Sequence, residues 1–340
     1  MPPRLDTTSS APRRPAASRT ALVLLAAVVA VSGCARDEPP AAVDTMGPAV
    51  VTPIDSAAAV RTSGWVEAAG SVLLVPAAAQ AGQAQVVFPS FMETSTGELD
   101  SATVHGRLPA GTRVHLLSRS GGVGEAIVAT AAEASDAPVA ASDSTCTQWP
   151  TVRLAAVDTS AGDEAPAGWT VGFVADLVDP VALDSLERLP GADSARLAAA
   201  VARIASALPN DTAAQFRGLP FSVRSARRFV PAPGVVAVVA EVVRKVSQEA
   251  RPLEEHILLV AERDSAAPRA AFTPVYSERT IGAEDEVVTS EVLAAVRVRA
   301  SGSALVVLFR DLYEGGRYAV LERVGPRRWL LRWTSVYTGC

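Results

Sequence analysis

The clearest fold signal of this chain lies between residues 287 and 337, which read VVTSEVLAAVRVRASGSALVVLFRDLYEGGRYAVLERVGPRRWLLRWTSVY. Four runs in this stretch are rich in β-branched and aromatic residues. They are separated by Ala300-Ser301-Gly302, Glu314-Gly315-Gly316 and Gly325-Pro326. Strand-forming runs joined by such short turns predict antiparallel strands that follow one another in the sheet. The sequence therefore predicts a C-terminal β-meander.

The same strand signal continues upstream, so that residues 219–340 are expected to form one C-terminal β-meander domain. Its predicted strands cover residues 221–229, 234–246, 256–262, 287–299, 303–310, 317–324 and 328–337. A second strand-rich region, 63–158, is expected to form an N-terminal β domain. Its predicted strands cover residues 71–75, 85–88, 102–105, 112–116 and 126–129, with residues 106–111 as a hairpin loop.

Residues 159–218 between these regions carry helix signals and are expected to form a helical insertion. Asp179 followed by Pro180 is typical of a helix start, and predicts a short helix that ends near Leu189. A second helix is predicted from Asp193, with Pro209 ending it. Its apolar stripe consists of Leu197, Ala200, Val201, Ile204 and Leu208. The predicted fold class is mainly β (α+β): antiparallel β-meanders with a small two-helix insertion.

Composition limits the possible function classes. The 340 residues are 49% hydrophobic and 20% charged, which is enough apolar surface to exclude a wholly disordered chain. The formal net charge is −5, so the chain lacks the overall basic field with which proteins attract a phosphate backbone. Nucleic acid is therefore not expected as a partner.

The N-terminus has the features of a secretory leader. Four arginines and one aspartate occur within the first 20 residues, and an apolar run follows from Ala21 to Val31. At about 1.5 Å per residue such a helix would span only about half of a bilayer core, so the run is typical of a signal peptide and not of a membrane-spanning helix.

The end of this apolar run resembles the lipobox of bacterial lipoproteins. It reads Val31-Ser32-Gly33-Cys34: an apolar residue, two small residues and a cysteine. The resemblance implies that residues 1–33 are a signal peptide, that cleavage follows Gly33, and that Cys34 is acylated. The alternative is an ordinary signal peptide with Cys34 near its end.

The lipobox resemblance also implies a location and a partner. Acyl chains on Cys34 would anchor the mature protein to a membrane of the cell envelope without a spanning helix. Ala35 stands where an aspartate would retain a lipoprotein in the inner membrane, which favours the outer membrane. Residues 34–62 contain prolines and no sustained periodicity, and they are expected to form a flexible tether behind the lipidated cysteine. An envelope protein is a further expected partner.

The other two cysteines, Cys146 and Cys340, form an even pair in a chain expected to reach an oxidising compartment. A single disulfide between them is the simplest expectation. The alternative is two separate buried thiols.

The C-terminal stretch, about a sixth of the chain, resembles a degenerate propeller repeat of the FG-GAP or integrin-like type. That family places a calcium loop of aspartates and glycines between two strands. The corresponding residues 297–302 read RVRASG and keep only the last glycine, Gly302. Because two ligand positions are cationic, no calcium is expected here.

Few residues suggest a metal site or a catalytic site. His105 and His115 are equidistant from the predicted hairpin loop and are expected to face each other, but no third metal ligand lies near them. Glu254 and His256 share one face of a predicted strand and could perform acid–base chemistry in a cleft, although charges are also common where a strand begins. Residues 284–286 (EDE) are expected to form a solvated turn. The sequence predicts no metal site and no cofactor.

Two surface features remain as binding hypotheses. Trp329 and Trp333 are predicted to lie on one face of the final strand, as core residues or, alternatively, as a possible binding surface. Arg224, Arg227 and Arg228 form a local basic cluster, for which ion pairs within the protein are the default and an anionic ligand or lipid headgroup is the alternative.

Taken together, these features favour a lipid-anchored cell-envelope protein that acts as a non-enzymatic binding or scaffolding module. The sequence contains no nucleophile elbow, no zinc-protease motif and no phosphate-binding loop between a strand and a helix. The alternative is an envelope hydrolase whose active site is assembled from distant residues such as Glu254 and His256, because catalytic groups need not be neighbours in sequence.

Overall fold

The computed structural model describes residues 52–53, 64–77, 82–90, 101–133, 149–157, 165–209, 214–246, 252–312 and 315–338. These residues are mostly antiparallel β-strands with two α-helices, which confirms the mainly β fold class. The helices are α1 (Ser101–Arg107) and α2 (Gly191–Ala207). The strands are β1 (Thr52–Pro53), β2 (Leu73–Pro76), β3 (Gln83–Val87), β4 (Arg113–Ser118), β5 (Gly121–Glu133), β6 (Thr151–Ala156), β7 (Val171–Val174), β8 (Val178–Val181), β9 (Asp184–Ser185), β10 (Ser222–Ala232), β11 (Val235–Val246), β12 (Leu253–Asp264), β13 (Thr273–Ala283), β14 (Thr289–Val298), β15 (Ala304–Leu312), β16 (Gly315–Gly325) and β17 (Arg328–Thr334).

Strands from the N-terminal half form a closed barrel with the order β2-β3-β6-β5-β4-β7. The barrel closes where Leu74 of β2 pairs with Gly172 of β7. A Cβ atom at position 172 would lie only 3.2 Å from the Cβ of Leu74 and 3.3 Å from the Cδ2 of Leu116. Glycine therefore permits the close approach that closes the barrel.

The predicted C-terminal meander is confirmed as β14 to β17, and β8 adds a fifth strand beside β14. Both faces of this central sheet are covered. Val296, Leu305 and Val307 pack against the barrel core, whereas Val306 and Leu308 pack against a second sheet. Burial on both faces explains why β15 begins with an unbroken apolar run instead of an alternating pattern.

The second sheet has the order β1-β13-β12-β11-β10-β9 and packs face to face with the central sheet. Helix α2 covers its other face through Leu197, Val201 and Ala205, which contact residues such as Val238 and Leu259. The described body is thus a series of layers: barrel, five-stranded sheet, six-stranded sheet and helix. These layers are stacked, whereas the blades of the propeller family that the C-terminal sequence was predicted to resemble are arranged radially around an axis.

The predicted helix after Asp179 is wrong, because residues 178–181 form β8 and pair with β14. Pro180 lies opposite Val296, on an edge strand where a missing N–H is tolerated. Burial of Val178 and Val181 on the sheet outweighs the local helix signal. The second predicted helix is confirmed as α2, but it begins at Gly191 after Pro190, and Asp193 lies in its first turn without capping it.

The predicted hairpin between residues 102–105 and 112–116 is also wrong. Residues 101–107 form α1, and β4 pairs instead with β5 and with β7. His105 therefore lies on a helix and does not face His115 across a ladder. The imidazole Nδ1 of His115 lies 3.3 Å from the Glu125 carboxylate, which also pairs with Arg113.

Candidate functional site

A buried group of titratable side chains surrounds His256, between the two stacked sheets. The imidazole Nδ1 lies 2.8 Å from the Oε1 of Glu241, and Nε2 lies 2.8 Å from the Oε2 of Glu254. His256 is 3% exposed and Glu241 is 4% exposed. We call Glu241, Glu254 and His256 the Glu-His-Glu cluster.

Strand geometry explains why these three side chains meet. Glu254 and His256 are two residues apart on β12, and therefore point to the same face of the sheet. In the antiparallel ladder with β11, His256 lies opposite Val243, which makes Glu241 its diagonal neighbour on that face. The prediction that Glu254 and His256 share a face is confirmed.

Glu241 belongs to the cluster but was not predicted from the sequence, because it is 15 residues from His256. One signal in the sequence could have identified it. It is an acidic residue inside the otherwise apolar run of residues 235–243, VVAVVAEVV. An acidic group in a strand that is buried on both faces requires a partner from another element.

Further groups contact both carboxylates of the cluster. The Nζ of Lys245 donates to the Oε1 of Glu254 at 2.6 Å. The backbone N–H of Ser290, in β14 of the central sheet, donates to the Oε2 of Glu241 at 3.1 Å. The Arg224 guanidinium lies 3.5 Å from the Oε1 of Glu241. The cluster thus links the two sheets. A partly exposed cation contacts each of its carboxylates, Arg224 on Glu241 and Lys245 on Glu254.

These contacts favour the protonated form of His256. An ionised carboxylate only accepts hydrogen bonds, so both ring nitrogens bond to ionised carboxylates when the ring is an imidazolium. Burial alone lowers the pKa of His256, but its hydrogen bonds to Glu241 and Glu254 outweigh burial and raise the pKa above its ordinary value. Burial likewise raises the pKa of Glu254, but the bonds from His256 and Lys245 outweigh it and lower that pKa.

A second ion pair lies in the same interface between the sheets. Arg310 of β15 donates two hydrogen bonds of 2.7 Å to the carboxylate of Glu278 on β13, and the Tyr276 hydroxyl donates to the same carboxylate at 2.9 Å. Burial raises the pKa of Tyr276, and so does the charge of Glu278. These bidentate, charge-assisted bonds connect β15 of the central sheet to β13 of the six-stranded sheet.

A third buried group lies on the opposite face of the six-stranded sheet. Glu255 is fully buried between Arg244, at 2.6 Å, and Arg279, at 2.9 Å. Arg244 also donates to the backbone carbonyl of Phe216, and its guanidinium stacks 4.5 Å from the ring centre of Phe221. These contacts hold Phe216 and Phe221, which precede β10, against the six-stranded sheet.

The chemistry available to the Glu-His-Glu cluster follows from its hydrogen bonds. Each ring nitrogen is already within hydrogen-bond distance of a carboxylate, so in the protonated ring neither nitrogen can accept a proton from a substrate. The two carboxylates lie on opposite sides of the ring, which prevents them from converging on one metal ion with it. The residues that the structure describes contain no group of three or more His, Cys, Asp or Glu side chains placed to hold a metal.

The two tryptophans predicted on one face of the last strand are buried, with Trp329 3% and Trp333 7% exposed. The core interpretation is therefore confirmed, and the alternative of an exposed binding surface is wrong. The ladder between β16 and β17 contains a bulge: Leu321 pairs with Leu331, but Val320 pairs with Trp333. The extra residue turns Trp333 toward the barrel core, while Trp329 packs between the sheets.

The three clustered arginines have separate surroundings. Arg224 contacts Glu241, and Arg228 pairs with Asp184 at 3.0 Å. Arg227 is half-buried, and its Nε has no hydrogen-bond partner within the described part of the chain. The predicted lipidation site, Cys34, and the predicted disulfide residues, Cys146 and Cys340, lie outside the described residues.

Comparisons of the chain with models of protein families, with curated proteins and with solved structures found no match. Within the described ranges, neither helix has the length and apolar character needed to cross a membrane.

Proposed function

We propose that this protein is a lipid-anchored protein of the cell envelope, in the outer membrane, and that it acts as a non-enzymatic binding or scaffolding module. The observation that carries the proposal is the pattern Val31-Ser32-Gly33-Cys34 directly behind a charged and apolar leader. Acyl chains on Cys34 stabilise membrane attachment by about 0.8 kcal/mol for each buried methylene group.

The surroundings of His256 support a binding role over the alternative, an envelope hydrolase with a non-local active site. His256 is within hydrogen-bond distance of Glu241 and Glu254, as a catalytic pair would be, but it is buried and both of its ring nitrogens already contact carboxylates. A general base needs a nitrogen that can accept a proton. The cluster is better suited to holding two sheets together.

Replacing the proposed lipidation site tests the anchor. We expect Cys34→Ser to move the protein from the membrane fraction to the soluble fraction of fractionated cells, because the acceptor sulfur for the acyl chains is lost. Immunoblotting of the two fractions measures the change. Mass spectrometry of the native protein should find the acyl chains on Cys34.

Cys146→Ser is the matched control, since it removes a thiol but leaves the lipobox intact. We expect this variant to remain in the membrane fraction. If Cys34→Ser sediments with membranes as completely as the native protein, the anchor proposal is wrong.

A further inference from the structure

Strand β1 lies within residues 34–62, the part of the chain that the sequence predicts to be a flexible tether. Its two residues, Thr52 and Pro53, pair with Arg279 and Glu278 on the outer side of β13. The inner side of β13 pairs with β12, so β1 occupies the edge of the six-stranded sheet. The chain thus contacts the folded body at this edge, upstream of the barrel.

The proline shows which of the two residue pairs is hydrogen-bonded. In an antiparallel ladder, pairs that exchange both of their backbone hydrogen bonds alternate with pairs that exchange none. Pro53 has no N–H, so the hydrogen-bonded pair is Thr52 with Arg279. The N–H of Thr52 then donates to the carbonyl of Arg279, and the N–H of Arg279 donates to the carbonyl of Thr52.

The backbone of β13 is held from both faces where β1 pairs with it. Glu278 accepts two hydrogen bonds from Arg310 on the face toward the central sheet. On the opposite face, the Nε of Arg279 lies 2.9 Å from the carboxylate of Glu255. Because these buried pairs already order the edge, β13 loses little conformational freedom when β1 adds to it.

A second contact keeps the chain close to this edge. The backbone N–H of Gly64 donates to the carbonyl of Arg332 on β17 at 3.0 Å, and Trp65 packs against the barrel core. Strand β17 is the edge strand of the central sheet, and its Leu331 packs into the same core as Tyr276 of β13. A short connection keeps β1 at an effective concentration of about millimolar near β13, so a single pair of backbone bonds can hold it there.

We propose that β1 docks the lipid tether on the outer edge of β13, so that only residues 35–51 separate the anchor from the body. The proposal rests on the lipidation of Cys34 proposed above and deepens it, because it identifies the surface to which the anchor leads. A flexible chain of 17 residues has a root-mean-square length of about 20–25 Å, whereas the 28 residues of 35–62 would have about 26–32 Å. Docking therefore holds the body nearer to the membrane.

Hydrogen exchange of the full-length protein in neutral detergent tests the docking. Thr52→Pro removes the N–H of the hydrogen-bonded pair and should release β1 from β13. We expect about one more fast-exchanging amide in the peptide that contains Arg279, because its N–H loses the carbonyl of Thr52. Unchanged slow exchange of β15 verifies that the variant is folded.

Thr45→Pro is the matched control, since it makes the same replacement upstream of β1. It should leave the exchange of the Arg279 peptide unchanged. The native protein gives a second measurement that needs no variant: the Thr52 amide should exchange about tenfold more slowly than the Thr45 amide, because it is hydrogen-bonded. Protection of Thr52 that disappears on dilution would place β1 on a second copy of the chain and overturn the proposal.

Energy transfer to a membrane measures the length of the tether. The lipidated protein is bound to vesicles that contain a dansyl-labelled lipid as acceptor, and its own tryptophans are the donors. Thr52→Pro should lower the transfer efficiency, because release of β1 lengthens the tether, whereas Thr45→Pro should not. Equal transfer in the native protein and Thr52→Pro would overturn the shortened tether.

The two proposals fail in different ways. Failure of the native protein to bind vesicles would overturn the lipid anchor and, with it, the role of β1 in the tether. Equal exchange of the Arg279 peptide in the native protein and Thr52→Pro would overturn the docking of β1 alone, because that measurement does not depend on lipidation.

Discussion

His256 shows how a buried charge is stabilised by its immediate neighbours. The imidazolium lies between two carboxylates, and each carboxylate has a second donor, Lys245 for Glu254 and the Ser290 N–H for Glu241. Removing one member of such a group leaves the others buried and unpaired, which typically costs about 3–5 kcal/mol. The cluster therefore contributes to the joining of the two sheets only while all its members keep their charge.

This dependence predicts how stability varies with pH. The pKa of His256 is raised in the folded protein, so its contribution is complete below the unfolded value of about 6.5 and is lost as the pH rises through the folded value. The pKa of Glu254 is lowered, so its contribution is complete above about 4.3 and is lost as the pH falls through its folded value.

His256→Gln should cost about 3 kcal/mol at pH 6 and progressively less at higher pH, as measured by urea unfolding.

Glutamine is a suitable replacement because it is similar in size, but its amide oxygen would face one of the carboxylates. His105→Gln is the control, since His105 is exposed on α1, and this change should alter the free energy of unfolding by less than about 0.5 kcal/mol. A cost of His256→Gln that is the same at every pH would contradict the imidazolium assignment.

At the scale of elements, strand β17 connects two cores. Trp329 donates its indole N–H to Glu262 of β12 at 2.7 Å, and Arg323 of β16 pairs with the same carboxylate. Four residues later, Trp333 donates to the backbone carbonyl of Pro89 at 2.9 Å and packs edge-on against Trp65. The bulge in β17 makes these opposite directions possible within one short strand.

Replacing each tryptophan by phenylalanine measures how much its indole hydrogen bond contributes to the free energy of unfolding. Trp329→Phe loses a bond to a carboxylate, worth about 1.5–3 kcal/mol, whereas Trp333→Phe loses a bond to a neutral carbonyl, worth about 1 kcal/mol. The two replacements change side-chain volume equally, so each serves as the control for the other. Denaturant unfolding should show the larger loss for Trp329→Phe, and an equal or larger loss for Trp333→Phe would contradict this assignment.

For the described part of the molecule, the central sheet is the layer that other β-structure covers on both faces. Strand β15 lies between β14 and β16 within its sheet, and the sheet itself lies between the barrel and the six-stranded sheet. Helix α2, in contrast, covers one outer face and exposes its other side to solvent. Stability should therefore be greatest at the centre of the layers and lower at their margins.

Hydrogen exchange measures this distribution. We expect the amides of β15 to exchange most slowly, at a rate set by global unfolding, and those of α1 and α2 to exchange faster by local opening. Mass spectrometry of peptides after exchange in heavy water provides the measurement. The control is the same labelling near the urea midpoint, where all elements should exchange together. Equal protection of α1 and β15 in water would contradict the layered distribution.

The amino-acid sequence determined most of the local structure. Glycine and proline turns fixed the meander β14–β17, and the apolar stripe that includes Leu197 and Val201 fixed α2. A period of two residues placed Glu254 and His256 on one face. These features depend on residues close together in the chain, so local propensity and periodicity suffice to predict them.

The tertiary structure decided which elements meet. Pairing with β14 made residues 178–181 a strand despite their helix-start signal, and the register of β11 against β12 brought Glu241 to His256. A bulge sent Trp329 and Trp333 into different cores, and Arg119 of the turn between β4 and β5 pairs with Glu291 of β14. The physical reason is that burial and hydrogen bonding between distant segments outweigh local preferences, and no spacing within the sequence records them.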